Sequence, residues 1–296
     1  MITIEKNNVH FSFSPNEKPV AYAKDGDAVK FCCQDCYSEQ ILEDGFDFSN
    51  VNMKRNNPAT GPLYIHGAQP GDVLRIEVLN MELSSEGSMC ARTGAGIYEI
   101  AGCHCRKFHI VNGNILFDND IRIPIQPMIG VIGTAPANKS VPTQTPGEHG
   151  GNLDIKDLGI GSLLYLPVNV QGALLSMGDI HAVQGDGETV ICALEMSGEI
   201  TVKIDVLKNR IDIPTPFIIT KEKYLTTSAN ESLDVCSKMA ARKMHEFLQQ
   251  HSELTDAQSG LLLSLVGNLR ISQIVNPAKG CIMEFPVGLA KENFDR

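Results

Sequence analysis

The chain has 296 residues, 43% of them hydrophobic and 20% charged, with a formal net charge of −10. That length and apolar content suffice for one large domain, or two intimately packed ones, around a buried core. The acidic surplus excludes a sequence-independent nucleic-acid binder, which needs a dense basic face.

The first third, residues 1–135, is built of short alternating segments between Gly, Asn and Asp. "AVKFCCQDC", "LYIHG", "VLRIEVLNMEL" and "RKFHIVNGNILF" are predicted strands. Pro70-Gly71-Asp72 is a turn that launches one of them, with Val73, Arg75 and Glu77 on a wet face and Leu74, Ile76 and Val78 on a dry one. Asn112-Gly113 is a strong hairpin signal. "GSLLYLPVNVQGALLSMGD" is predicted as two strands around Gln171-Gly172, the first confined to an edge or bulge by Pro167 and the second ending at Gly178-Asp179. "ETVICALEMSGEITVKIDVLK" is predicted as two more, turning at Ser197-Gly198. Apolar residues at 233, 236, 240, 244, 247 and 248 follow the period of an amphipathic helix, with Asn230 as its N-cap, and a second helix follows Thr255. "LRISQIVNP" and "GCIMEFPV" are closing strands.

The expected fold is α+β and predominantly β: a β-rich body of sandwich-like or barrel-like modules with a helical pair near the C-terminus. Residues 1–135 form an N-terminal β-rich module. Residues 136–296 carry the polar motifs and a C-terminal α/β segment, and the two pack as one unit.

The nine cysteines are odd in number. "MITIEKNNVHF" lacks the basic head and apolar run of a secretory signal, and the longest apolar run, "GLLLSLVG", is too short for a bilayer. These features predict a cytoplasmic protein with mostly free thiols and no membrane partner. Cys33-x-x-Cys36 could be half of a zinc site, but no second pair at ribbon-like spacing follows, and the pair Cys103-x-Cys105 is a poor substitute. Structural zinc is not expected.

Two polar stretches carry the chemistry. "EHGGNLDIKD" sets His149, Asn152 and Asp154 around Gly150-Gly151, which free the backbone for positive φ and close approach to a ligand. As a lone turn it is explained as well by local side-chain to backbone hydrogen bonds. "MGDIHAVQGDGE" holds Asp179, His181, Asp186 and Glu188 at a strand–turn–strand junction, where solvated acids on a surface hairpin are the plainer reading. Together they offer two imidazoles and several carboxylates, a nitrogen/oxygen donor set that suits a metal-activated water or a metal-free acid/base pair. Neither H-E-x-x-H, G-x-S-x-G nor a P-loop is present. A thiol nucleophile at Cys36 or Cys90 would need a nearby base that sequence cannot place.

These motifs, with "NPATGPLYIHGAQPGDVLRIEVL", "PMIGVIGTAP" and "LRISQIVNPAKGCIMEFP", resemble the acetamidase/formamidase family in order and spacing over about 230 residues. The resemblance implies hydrolysis of a small amide to a carboxylate and ammonia, by a homodimer or higher homo-oligomer. Carried onto this sequence, it implies a site lined by His149, Asn152, Asp154, Asp179, His181, Asp186 and Glu188. Some members look zinc-dependent, so a divalent metal, zinc in that reading, is expected on His149, Asp154 and His181. Glu188 is then the general base and acid, with Asp179 beside it. Asn152, Gly133 and Thr134 are expected to bind substrate, the last two through backbone donors near "GVIGTAP". One departure is that His66 and Gln69 stand where the family tends to carry acidic residues. Two other readings stay open: a non-catalytic β-rich protein that binds a metal or metabolite, and a cysteine-dependent amidase.

Overall fold

A computed structural model describes residues 1–292 and Phe294. Strand accounts for 42% and helix for 12%, so the fold is α+β and predominantly β, with both helices near the C-terminus and no closed barrel. The strands that carry the architecture are β1 (Ala28–Cys33), β2 (Ala59–Ile65), β3 (Val73–Arg92), β4 (Cys103–Val111), β5 (Asn114–Asp118), β6 (Met128–Gly133) and β7 (Gly150–Asn152). They continue with β8 (Leu163–Pro167), β9 (Leu175–His181), β10 (Glu195–Leu207), β11 (Phe217–Ile219), β12 (Lys223–Asn230), β13 (Asn268–Gln273) and β14 (Lys279–Pro286). Helices α1 (Leu233–His251) and α2 (Asp256–Val266) lie between β12 and β13. No helix among the described residues is long and apolar enough to cross a membrane.

The site depends on three ladders. β9 runs antiparallel to β2, β6 and β10, so three neighbours from distant parts of the chain meet at it. β6 also pairs with β7, which brings the His149–Asp154 stretch alongside β9. β10 pairs with both β1 and the long β3, and β3 pairs with β8 and β4. Alternation then fills one core: Leu74, Ile76 and Val78 of β3 pack with Met177 and Ile180 of β9 and Ile200, Val202 and Ile204 of β10. A second core lies where α1 covers β11, β12 and β14, around Phe217, Tyr224, Phe247 and Phe285.

The α1 pattern is as expected: Cys236, Ala240, Met244, Phe247 and Leu248 are buried, together with His251 at its end. Thr255 caps α2 in a reciprocal capping box with Gln258. Asn112 and Gly113 turn the β4–β5 hairpin, both at positive φ.

Several expectations need correction. Val73 is buried, not on a wet face, because the second core reaches it. Pro167 does not make β8 an edge strand. β8 lies between β3 and β11, but its pairing with β11 ends at Tyr165, so Pro167 stands beyond that ladder, where its missing N–H is not asked for a bond. Ser197-Gly198 is no turn: β10 runs through it, and the register with β3 shifts there as a bulge. The α1 N-cap is Ser232, whose hydroxyl accepts from Val235 N, while Asn230 ends β12 and holds Ser232 N from outside. β9 does not end at Gly178-Asp179 but continues to His181.

Candidate active site

β9 carries Asp179 and His181 two residues apart at its C-terminal end, both buried. Glu195, the first residue of β10, is the ladder partner of His181. Asp154 follows β7, Glu188 sits in the turn before β10, and Asn276 lies between β13 and β14. Asn276 donates to Asp154 Oδ2 at 2.6 Å. Asp154, Asp179 and Glu188 all hold positive φ, at 46°, 55° and 46°. Such backbone costs of order 1–3 kcal/mol per residue and persists only where the surroundings impose it. Opposite Asp179 on the β6 ladder is Gly130. A Cβ there would stand 2.6 Å from Asp154 Oδ1 and 2.6 Å from Asp179 Oδ2, so this bare backbone is what admits both carboxylates.

Gln184 fixes the histidine. Its amide nitrogen donates to Asp154 O at 2.8 Å and Ser272 O at 3.3 Å, which turns its oxygen toward His181 Nδ1 at 2.8 Å. Only a protonated Nδ1 can answer an acceptor, so Nε2 is the nitrogen that faces the acids. It lies 3.2 Å from Glu195 Oε2 and 3.4 Å from Asp179 Oδ1. Burial works against a charged imidazole, but Glu195 and Asp179 outweigh it and hold the His181 pKa well above its ordinary value.

The acids are shifted upward too, which for a carboxyl group favours the neutral form. Burial, then Asp179, raises Asp154 to about 6. Burial, then Asp154, pushes Glu188 well above the usual carboxylate range. Burial raises Glu195 to about 8, against the pull of His181. Four buried carboxylates against one imidazole leave a local excess of negative charge that a fold does not keep without a cation or protons.

Unsatisfied atoms give the test for a cation. Asn152 Oδ1, Asp154 Oδ1, Asp179 Oδ1, His181 Nε2, Glu188 Oε2 and Glu195 Oε2 are all buried with no hydrogen-bond partner. Buried polar atoms are nearly always paired, so such a concentration marks a place built for something else. In this cluster two groups have ligand atoms within 4.8 Å of one another: Asp154 with His181 and Glu188, and Cys36 with Asp179 and Glu195. The donors are mainly imidazole and carboxylate, and the Gln184 contact is the outer bond that metal-bound histidines make. The residues fit a divalent cation.

A cavity of about 190 Å³ opens onto this cluster. Its walls include Asn152, Asp179, Glu188, Glu195 and Asn276, with Arg92 among the other lining residues, while Asp154 and His181 lie deeper and do not line it. The two polar stretches therefore meet, but not every expected member is present. His149 belongs to neither cation group; its ring packs edge-on against Phe13 at 5.2 Å. Burial and then Lys139 lower its pKa to about 4, so it is neutral. Asp186 sits outside, in ion pairs with Lys156 and Arg270. Neither Gly133 nor Thr134 lines the cavity. Thr134 N donates to His149 O and its hydroxyl donates to Pro167 O. The close approach that Gly150 and Gly151 permit is to the carbonyls of Ile132 and Thr145. His66 is exposed against Tyr22, and Gln69 is exposed as well.

Sequence reading missed Glu195, Gln184 and Asn276. A signal existed for Glu195, an acid inside the apolar run "ICALEM". Asn276 had none, because only folding brings the loop between β13 and β14 over Asp154.

Comparison with known proteins places the chain in a family. The sequence profile of the Acetamidase/Formamidase family matches residues 2–142 and 137–291. A putative formamidase of Schizosaccharomyces pombe is 30% identical over 278 residues, covering 70% of this chain and 66% of that protein. The chain thus spans about two thirds of the length of that relative. The crystal structure of an acetamidase from Bacillus halodurans superposes with a TM-score of 0.95 at 40% identity, covering 97% of each chain. That of a predicted acetamidase/formamidase from Thermoanaerobacter tengcongensis gives 0.93 at 34% identity, covering 96% of this chain and 95% of the other. The chain belongs to the Acetamidase/Formamidase family, a family of amide hydrolases.

Proposed function

We propose that this chain hydrolyses the C–N bond of a small aliphatic amide of the formamide or acetamide class, giving a carboxylate and ammonia. The observation that carries the reading is the set of buried, partnerless oxygens and one imidazole nitrogen converging beneath a small cavity. Its volume of about 190 Å³ lies below the roughly 300–1,000 Å³ of sites for drug-sized ligands and suits an amide of a few heavy atoms.

A divalent cation, zinc in our reading, would rest on Asp154 and His181 at the floor. Bound there, it supplies Lewis acidity that polarises a carbonyl and acidifies water. His149 belongs to neither cation group, and its Nε2 is buried without a hydrogen-bond partner. Glu188 both faces the cavity and adjoins Asp154, so it is the acid/base: it takes a proton from the attacking water and passes it to the departing nitrogen. Burial and Asp154 raise its proton affinity, which favours that return, and a positioned acid of this kind is worth about 10²–10⁴-fold in rate. Asp179 and Asn152 line the cavity and each carries a buried oxygen without a hydrogen-bond partner, so they are the acceptors we assign to the N–H groups of a primary amide.

A thiol mechanism is disfavoured by the surroundings of Cys36. Burial, then Glu195 and Asp179, push its pKa well above the ordinary thiol value, the reverse of what a thiolate nucleophile requires. We also read the chain as a homo-oligomer, because Leu261, Leu265 and Leu269 leave an apolar face exposed on α2 and β13. The test of the catalytic reading is Glu188→Gln. Ammonia release from formamide and acetamide should fall at least about 100-fold with cation content unchanged, and a variant near the parent rate would remove Glu188 from the role.

A further inference from the structure

Three thiols meet away from the amide site. Cys90 of β3 is the ladder partner of Cys105 of β4, and Cys103 lies two residues along β4 on the same face. All three are free cysteines. Cys90 Sγ is 2.9 Å from Cys105 Sγ and 3.5 Å from Cys103 Sγ, and the last two are 3.9 Å apart. Cys90 and Cys105 are buried against Ile41, Val51 and Tyr37, whereas Cys103 is exposed.

We propose that Cys90, Cys103 and Cys105 form a binding site for a soft d¹⁰ cation such as Zn²⁺, Cd²⁺ or Cu⁺. A Zn–S bond of about 2.3 Å places three thiolate sulfurs about 3.8–4.0 Å apart, so the triangle needs to widen on two sides only and the third is already at that span. Thiolates are the ligands such cations select over harder ones. Binding exchanges the thiol protons for the cation, and the exposed Cys103 side leaves a fourth position open to solvent. The sequence pair Cys103-x-Cys105 lacked a second half at ribbon-like spacing. The fold supplies the third sulfur from the neighbouring strand, 13 residues before Cys103. The site adjoins the amide cavity, because Cys103 is the ladder partner of Arg92, which lines it.

Cadmium titration of the reduced protein, read by the ultraviolet thiolate-to-cadmium charge-transfer band, tests this. The parent should show the band at one equivalent, with release of protons. Cys103→Ser alters only an exposed thiol, and should weaken that binding at least about 100-fold, since one ligand of a structural zinc set contributes on the order of 3 kcal/mol. Cys36→Ser should retain the band. Three results would overturn the proposal: no band in the parent, a band unchanged in Cys103→Ser, or a band lost in Cys36→Ser, which would place the thiolate ligand at the amide site. A Cys90–Cys105 disulfide found by mass analysis of protein kept anaerobic and reduced would also overturn it.

Discussion

His181 Nδ1 donates to Gln184 Oε1 at 2.8 Å, and that contact decides which nitrogen faces the carboxylates. Gln184→Leu removes the acceptor and frees the imidazole to flip or change tautomer. The variant should bind its divalent cation about 10–100-fold more weakly, as outer-contact mutations at metal sites do. Equilibrium dialysis against a zinc buffer checks this, and unchanged affinity would mean that Gln184 does not set the tautomer.

Gly130→Ala puts a methyl group 2.6 Å from oxygens of both Asp154 and Asp179. Those carboxylates must move, and displacement of about 1 Å at a reacting centre costs on the order of 100-fold in rate. Circular dichroism should remain that of the parent while kcat falls by that order. A variant within tenfold of the parent would show that the two acids tolerate displacement.

Asp154→Asn removes one of four buried carboxylates and keeps an oxygen that Asn276 can still donate to. In protein stripped of cations the change should relieve like-charge repulsion and raise the thermal midpoint by a few degrees, at about 2–4 °C per kcal/mol, while activity is lost. A lowered midpoint in the stripped protein would contradict the charge imbalance read from the cluster.

His149 gives a pH prediction with a definite sign. Its pKa falls from 6.5 in the unfolded chain to about 4 in the fold, so the folded state binds fewer protons between those values. Its contribution is fully present above pH 6.5 and is lost as pH falls toward 4, a difference on the order of 3 kcal/mol. His149→Gln should therefore flatten the dependence of unfolding free energy on pH in that window by about one proton. Urea melts at a series of pH values check it, and an unaltered slope would mean that His149 is not buried neutral.

Much of this was legible before any coordinates. The alternation of β3 from Leu74 to Val78, the period of α1 and the start of α2 after Thr255 are local signals, and they held because tertiary packing asked for the same answer. Asp154, Asp179, His181 and Glu188 were legible as chemistry, since acids and imidazoles crowd two glycine-rich stretches. What failed was context. Ser197-Gly198 has the composition of a turn but serves as a bulge, because β1 and β3 pair on either side and hold β10 straight. Asn276 reaches Asp154 across a separation of 122 residues, and Glu195 is brought beside Cys36 only by the ladders of the sheet, placements that no local pattern encodes.

In the function proposed, the amide bond breaks at the buried acid–imidazole cluster with a cation's help. The most direct measurement is ammonia release from formamide and acetamide by protein as purified, after chelation, and after return of one divalent ion. We expect hydrolysis to vanish on chelation and to return with zinc. Hydrolysis at the parent rate by protein shown to be free of metal would contradict it.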